Sequence, residues 1–213
     1  MALSKVNYNS LNVTPTASKF LMWDSDADAL QASDVGGSLK LISTQTASSS
    51  SAVSITSGLD STYKEYIFKF INCHPSASSY LTFQASTDSG SNYNTTCTST
   101  IFSAYHDEAD SATDLGYNAS RDAAQSTSFV PLQIDATHND NDSSWSGTLH
   151  IFDPSNTTFV KHFLYRDNHY GNAYCFSVFT AGYFNTTSAI DAIQFKMSSG
   201  NIDAGVIKMY GVL

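Results

Sequence analysis

Any metal or proton-transfer chemistry in this chain would be built from six histidines: His74, His106, His138, His150, His162 and His169. None stands in an HxH or HExxH pattern and no Cys-x-x-Cys accompanies them, so no spacing sets two ligands on one face of an element. His106-Asp107-Glu108 puts three donors in succession, but neighbouring residues point in different directions and rarely share one ion. His150 and His162 fall in segments expected to pair as strands, which would bring them near each other. The expectation is surface or hydrogen-bonded histidines rather than a metal site. Asp24, Asp26 and Asp28 alternate like the start of a calcium loop, yet the glycine and closing glutamate that such a loop needs are absent. A solvated turn is expected there, with a bound ion left open.

Covalent and general acid–base chemistry find no better footing. No G-x-S-x-G elbow occurs, and a chain this rich in Ser, His and Asp offers triads on paper at any spacing. Glycoside cleavage needs two carboxylates across a cleft, and Glu65 and Glu108 are the only glutamates, so aspartates would have to serve. The chain is therefore expected not to be an enzyme, with no catalytic, cofactor-binding or metal-binding residue and no cofactor.

Aromatic residues beside polar loops are the more informative class: Tyr8, Tyr93, Tyr105, Tyr117, Trp145, Tyr170 and Tyr174. Such rings stack on sugar faces or anchor protein contacts, or else seal the ends of a sandwich. Tyr93, Tyr105, Tyr117, Trp145 and Tyr170 are taken as candidates for surface recognition. Phe20, Leu21, Met22 and Trp23 form the only apolar knot of the first 35 residues. They are expected to dock that arm onto its own domain or onto a neighbouring subunit.

The elements that must position these residues read as strands. In 64–73, Tyr66, Phe68 and Phe70 share one face while Ile67, Lys69 and Ile71 share the other, which predicts a central strand covered on one side by a second sheet. Alternation also marks 39–44, 52–56, 80–86, 98–105, 147–153, 159–166 and 174–184. Pro131 assigns 129–134 to a sheet edge. Polar connections are expected over 45–51, 87–96, 106–127, 137–146 and 167–173. Near the C-terminus, Ile193, Phe195 and Met197 alternate with polar neighbours, then Ile207 and Met209 do so. Gly200 and Asn201 between them suit a hairpin, fixed into the core sheet. The pattern predicts an all-β fold, a two-sheet antiparallel β-sandwich of jelly-roll type with about ten or eleven strands. Residues 1–35 form an extended N-terminal arm and residues 36–213 one sandwich domain.

Composition agrees. The 213 residues are 41% hydrophobic and 13% aromatic but only 14% charged, the mix that pleated surfaces and tight turns select. Net charge is −9, with no basic stripe to neutralise phosphates, which argues against nucleic acid and anionic membranes as partners. No apolar run is long enough to insert in a membrane, and the N-terminus lacks a signal-peptide pattern. Cys73, Cys97 and Cys175 cannot all pair. Three reduced thiols are expected, with a Cys73–Cys97 bridge as the alternative. The six Asn-x-Ser/Thr triplets read as polar loops rather than glycan sites.

Three segments, TSGLDSTYKEYIFKFINCHP (56–75), SGTLHIFDPSNTTFVKHF (146–163) and GYFNTTSAIDAIQFKMSSGNIDAGVIKMYGVL (182–213), resemble a family of small proteins encoded by tailed phages of marine bacteria, cyanophages among them. The resemblance is densest in the "SSGNI" ending and carries no catalytic motif. It implies a virion structural protein, assembled in the host cytoplasm, displayed on the particle and oligomeric, a trimer being favoured. Its partners would be other virion proteins of capsid or tail. The expected task is host attachment as a tail-fibre or adhesin module, with a host-surface glycan or protein as ligand. A capsid decoration protein is the alternative, and a carbohydrate-binding or carbohydrate-active module the third reading.

Overall fold

The structure is a computed structural model that describes residues 19–23, 26, 30–33 and 37–213. The chain divides into two compact units, residues 1–38 and 39–213. In the first, β1 (Phe20–Trp23) and β2 (Leu30–Ser33) form an antiparallel pair that runs from Phe20↔Ser33 to Trp23↔Leu30. Tyr8, Asp24 and Asp28 lie outside the described residues, so the reading of a calcium-like turn falls outside them too.

The second unit is all-β, with no helix among the described residues. Its strands are β3 (Leu39–Ser50), β4 (Val53–Ile55), β5 (Glu65–Pro75), β6 (Leu81–Ser86), β7 (Cys97–Asp107), β8 (Thr113–Tyr117) and β9 (Ala123–Ser126). They continue as β10 (Val130–Pro131), β11 (Trp145–Phe152), β12 (Lys161–Gly171), β13 (Tyr174–Phe184), β14 (Ala192–Met197) and β15 (Ile202–Val212). Their pairings are antiparallel throughout. A nine-stranded sheet runs β3-β15-β5-β11-β12-β13-β7-β8, with β9 also on β7, and a four-stranded sheet runs β10-β6-β14-β4.

The two sheets make a sandwich whose interior is aromatic. Phe195 of the small sheet meets Phe68 and Phe70 of the large one edge-on, with ring centroids 5.5 and 5.1 Å apart. Phe83 does the same with Phe163 and Phe184, at 4.9 and 5.5 Å. All six rings are buried. Each contributes about 1.5–3 kcal/mol by burial, and each edge-to-face pair about 0.5–1.5 kcal/mol more. Alternation put these residues on the inner face: Tyr66, Phe68 and Phe70 are buried, while Ile71 on the other face is exposed.

Several expectations need correction. The C-terminal segments do not form a hairpin. β14 lies between β4 and β6 in the small sheet, whereas β15 lies between β3 and β5 in the large one, so Ser198–Asn201 crosses from one layer to the other. Gly200 takes φ +71° in this crossover, and a Cβ there would sit 2.8 Å from Ser76 Oγ, so glycine serves a tight passage rather than a two-strand turn. The serine-rich 45–50 belongs to β3, because its backbone pairs with β15 from Gln45↔Ile207 to Ser50↔Ile202. The polar 167–171 is strand too, and the β12–β13 turn consists of Asn172 and Ala173 alone. The 106–127 excursion contains β8 and β9, short edge strands without a hydrophobic period. Such strands raise the total among the described residues to fifteen. Pro131 does sit at a sheet edge, in β10.

Candidate functional site

A strand with one face in the core normally turns polar side chains outward. The large sheet departs from this, and its outer face is the most unusual surface of the second unit. Register places the outward residues in rows. One row runs Leu41, Tyr210, Ile67, His150, Leu164, Ala181, Thr100 across seven strands. The next runs Thr44, Lys208, Lys69, Thr148, Arg166, Phe179, Phe102, Tyr117 across eight. Leu164 is 51% exposed and Tyr117 57%, and Leu41, Ile71, Phe102 and Leu115 are exposed as well.

Within these rows the side chains are ordered by their neighbours. Phe102 and Phe179 stack with centroids 5.1 Å apart and planes 6° from parallel. The Arg166 guanidinium lies 4.8 Å from the Phe179 centroid, a geometry that favours cation over ring face. His150 Nδ1 is 2.6 Å from Glu65 Oε1, which orients the imidazole beside Leu164. Between Phe102, Leu164, Arg166, Phe179 and Ala181 lies a trough of about 400 Å³. A second trough of about 510 Å³ continues it past Phe152, His162 and Tyr183. Apolar walls with few directional polar groups suit burial of a protein surface or the stacking of a flat ligand. They do not bring a nucleophile and a base to one reacting atom.

The interior holds the other concentration of polar groups. Asp167 Oδ2 accepts from Gln133 Nε2 at 2.5 Å and from Tyr165 OH at 3.1 Å. His169 Nδ1 stands 3.5 Å from the same oxygen, and both side chains have no solvent exposure. Burial pushes the Tyr165 hydroxyl well above its ordinary pKa, with the Asp167 charge adding to the effect. A cluster sealed on all sides fixes sheet packing. Lys161 is also buried, its ammonium donating to the carbonyls of Phe159 and Thr186, and burial lowers its pKa. Among the described residues, no group of three His, Cys, Asp or Glu side chains is close enough to hold a metal ion.

The residues singled out from the sequence do not converge. Phe20, Leu21, Met22 and Trp23 are all exposed in β1. Trp145, read as a loop ring, opens β11 and is 1% exposed. It pairs with both Cys73 and His169 on the neighbouring strands, and its flanking loop residues hid that. Tyr105 packs on Tyr174 and Phe176 near the end of the sheet. Tyr93 is half-buried with its hydroxyl enclosed, and Tyr170 is half-buried at the end of β12. Of the five recognition candidates, Tyr117 alone belongs to the open face, and its hydroxyl donates to Asp122. His150 and His162 do lie on paired strands, with His150 opposite Leu164. Phe102, Leu164, Arg166 and Phe179 were missed as a surface. The usable signal was the presence of large apolar residues on both faces of their strands. Cys73 and Cys97 are free and buried, and Cys175 is free and exposed.

No protein-family model matches the sequence, and no curated protein matches it. Among the described residues no helix is long and apolar enough to cross a membrane.

Proposed function

We propose that this chain is a non-enzymatic structural protein of a tailed-phage particle, held in place by protein–protein packing across the open face of its large sheet. One observation carries the reading: the outward row Arg166–Phe179–Phe102–Tyr117, exposed at Arg166, Phe102 and Tyr117 and half-buried at Phe179, with exposed Leu164 beside it. Apolar patches of this kind on a surface otherwise dressed in Ser, Thr and Asn mark contact sites. The likeness of residues 56–75, 146–163 and 182–213 to virion proteins of marine tailed phages supplies the particle. A broad apolar face suits a neighbouring subunit, which favours head decoration. Host attachment is the second reading, supported by the stacked Phe102–Phe179 pair and Tyr117 as a ring platform for a glycan.

The test is the chain's position and copy number in purified virions, by quantitative mass spectrometry and labelled electron microscopy. Copies distributed over the head support decoration, and a few copies at the tail support attachment. Absence from the virion overturns the proposal. A second arm uses Leu164→Lys with Phe102→Lys. The folded variant is expected to be excluded from particles, and normal incorporation would rule out the open face as the contact.

A further inference from the structure

Lys69 of β5 and Lys208 of β15 are direct cross-strand partners on the open face. Like charges in that position destabilise a sheet, and no acidic side chain pairs with either amine among the described residues. Lys69 lies over the Tyr210 ring, 5.5 Å from its centroid. Ile67, Ile71 and Tyr210 frame the two ammonium groups, so this end of the face is basic and apolar. On a chain of net charge −9 such a local arrangement needs a reason.

The other end of the same sheet has the opposite sign. β7, β8 and the turn between them carry Glu108, Asp110 and Asp114 on their surface and no Lys or Arg, with His106 Nε2 3.1 Å from Asp110 Oδ1. Glu108 and Asp110 stand exposed in the turn between β7 and β8, and Leu115 and Tyr117 project from β8 at 70% and 57% exposure. This edge is acidic and apolar. One chain thus carries two complementary patches at opposite ends of one face.

We infer that the two patches are the halves of a self-complementary interface, in which the β7–β8 edge of one copy lies on the β5–β15 end of its partner. Glu108 and Asp110 meet Lys69 and Lys208, while Leu115 and Tyr117 pack on Ile67, Ile71 and Tyr210. The inference rests on the reading of the open face as a packing surface and names its occupant, a second copy of this chain. A two-fold axis in the plane of the interface, midway between the two patches, lays each patch on the other and brings most of the face into contact, so charge complementarity fits this isologous arrangement. The area suffices. Eight strands about 4.8 Å apart, each with roughly 20 Å of paired length, offer about 700–800 Å², close to what one partner buries in a standard interface.

The experiment is sedimentation of the full chain at low salt, with circular dichroism to verify folding. The wild type is expected to sediment as a multiple of the monomer and to dissociate as salt rises. Lys69→Glu with Lys208→Glu gives one charge-reversed protein, and Glu108→Lys with Asp110→Lys gives another. Each alone is expected to associate at least about tenfold more weakly. Their equimolar mixture restores association, because every patch then meets an edge of opposite charge. A monomeric wild type, reversed variants of wild-type mass, or a mixture that stays monomeric would each overturn the inference. None of these outcomes depends on where the protein sits in a virion, so the two readings fail separately.

Discussion

Replacing Ala173 by glycine is expected to stabilise this protein. β12 and β13 end at the pair Gly171↔Tyr174, leaving two residues to reverse the chain. Asn172 has φ 51° and Ala173 φ 65°, the double left-handed signature of the turn that matches strand twist. Asparagine tolerates that region, but the alanine Cβ crowds the following carbonyl at a cost of about 1–2 kcal/mol. Glycine removes the crowding and adds about 0.4–1 kcal/mol of unfolded-chain freedom. The difference is a gain of about 0.5–1 kcal/mol. For a unit that spans residues 39–213, this corresponds to a rise in Tm of about 1–4 °C. Calorimetry and urea titration of Ala173→Gly against wild type measure it. Gly171→Ala is the control of opposite sign, since a Cβ there would meet the Ala136 carbonyl oxygen at 3.1 Å and His138 Cδ2 at 3.3 Å. An unchanged or lowered Tm for Ala173→Gly would refute the assignment of strain to this turn.

Three further outcomes are expected. Burial raises the Cys73 and Cys97 thiols from 9.0 to about 12. Between those values the folded state retains protons that the unfolded state has lost, so stability falls as pH rises from about 9 towards 12, by about 1.4 kcal/mol per pH unit for each thiol. Urea midpoints at about pH 8 and 10 should show the fall, and Cys97→Ala should roughly halve its slope; an equal slope in the variant would contradict the burial argument. A thiol reagent should label native protein once and quickly, at Cys175, and three times after unfolding, because Cys73 and Cys97 have no exposed surface. Rapid labelling of more than one native thiol would contradict it. Acrylamide should quench Trp23, 59% exposed, and spare Trp145, 1% exposed; Trp23→Phe should leave a blue-shifted, weakly quenched emission, and a fully quenchable signal would place Trp145 wrongly.

How far these features can be read from sequence depends on whether their cause is local. Tyr66, Phe68 and Phe70, or Ile193, Phe195 and Met197, alternate because one face of each strand is buried, and that period is written in the chain. β12 beyond Arg166 was hidden for the same reason inverted: Asp167 and His169 are polar yet point inward, so the period broke where the strand did not. Gln45–Ser50 carries no period because it lies at an edge with little to bury. At Ser198–Asn201 the turn chemistry is visible, but whether the next strand folds back or crosses to the other layer depends on partners more than a hundred residues away. The open face shows the same limit. Leu164 and Phe102 are plainly apolar, and only the three-dimensional layering reveals that they stand exposed on the outer face of the large sheet. Trp145 failed in the other direction, since its polar neighbours in sequence are not its neighbours in space.

The crossover between β14 and β15 has a consequence for how the protein comes into being. Among the described residues, β3 has no hydrogen-bonded neighbour in the large sheet except β15, which arrives about 150 residues later. Until it does, a twelve-residue strand with few charges waits with both edges open, the condition under which nascent chains find one another instead of themselves. Folding of the large sheet is therefore gated by its latest strand. A polypeptide released before residue 202 would carry most of the core sequence and an unclosed sheet.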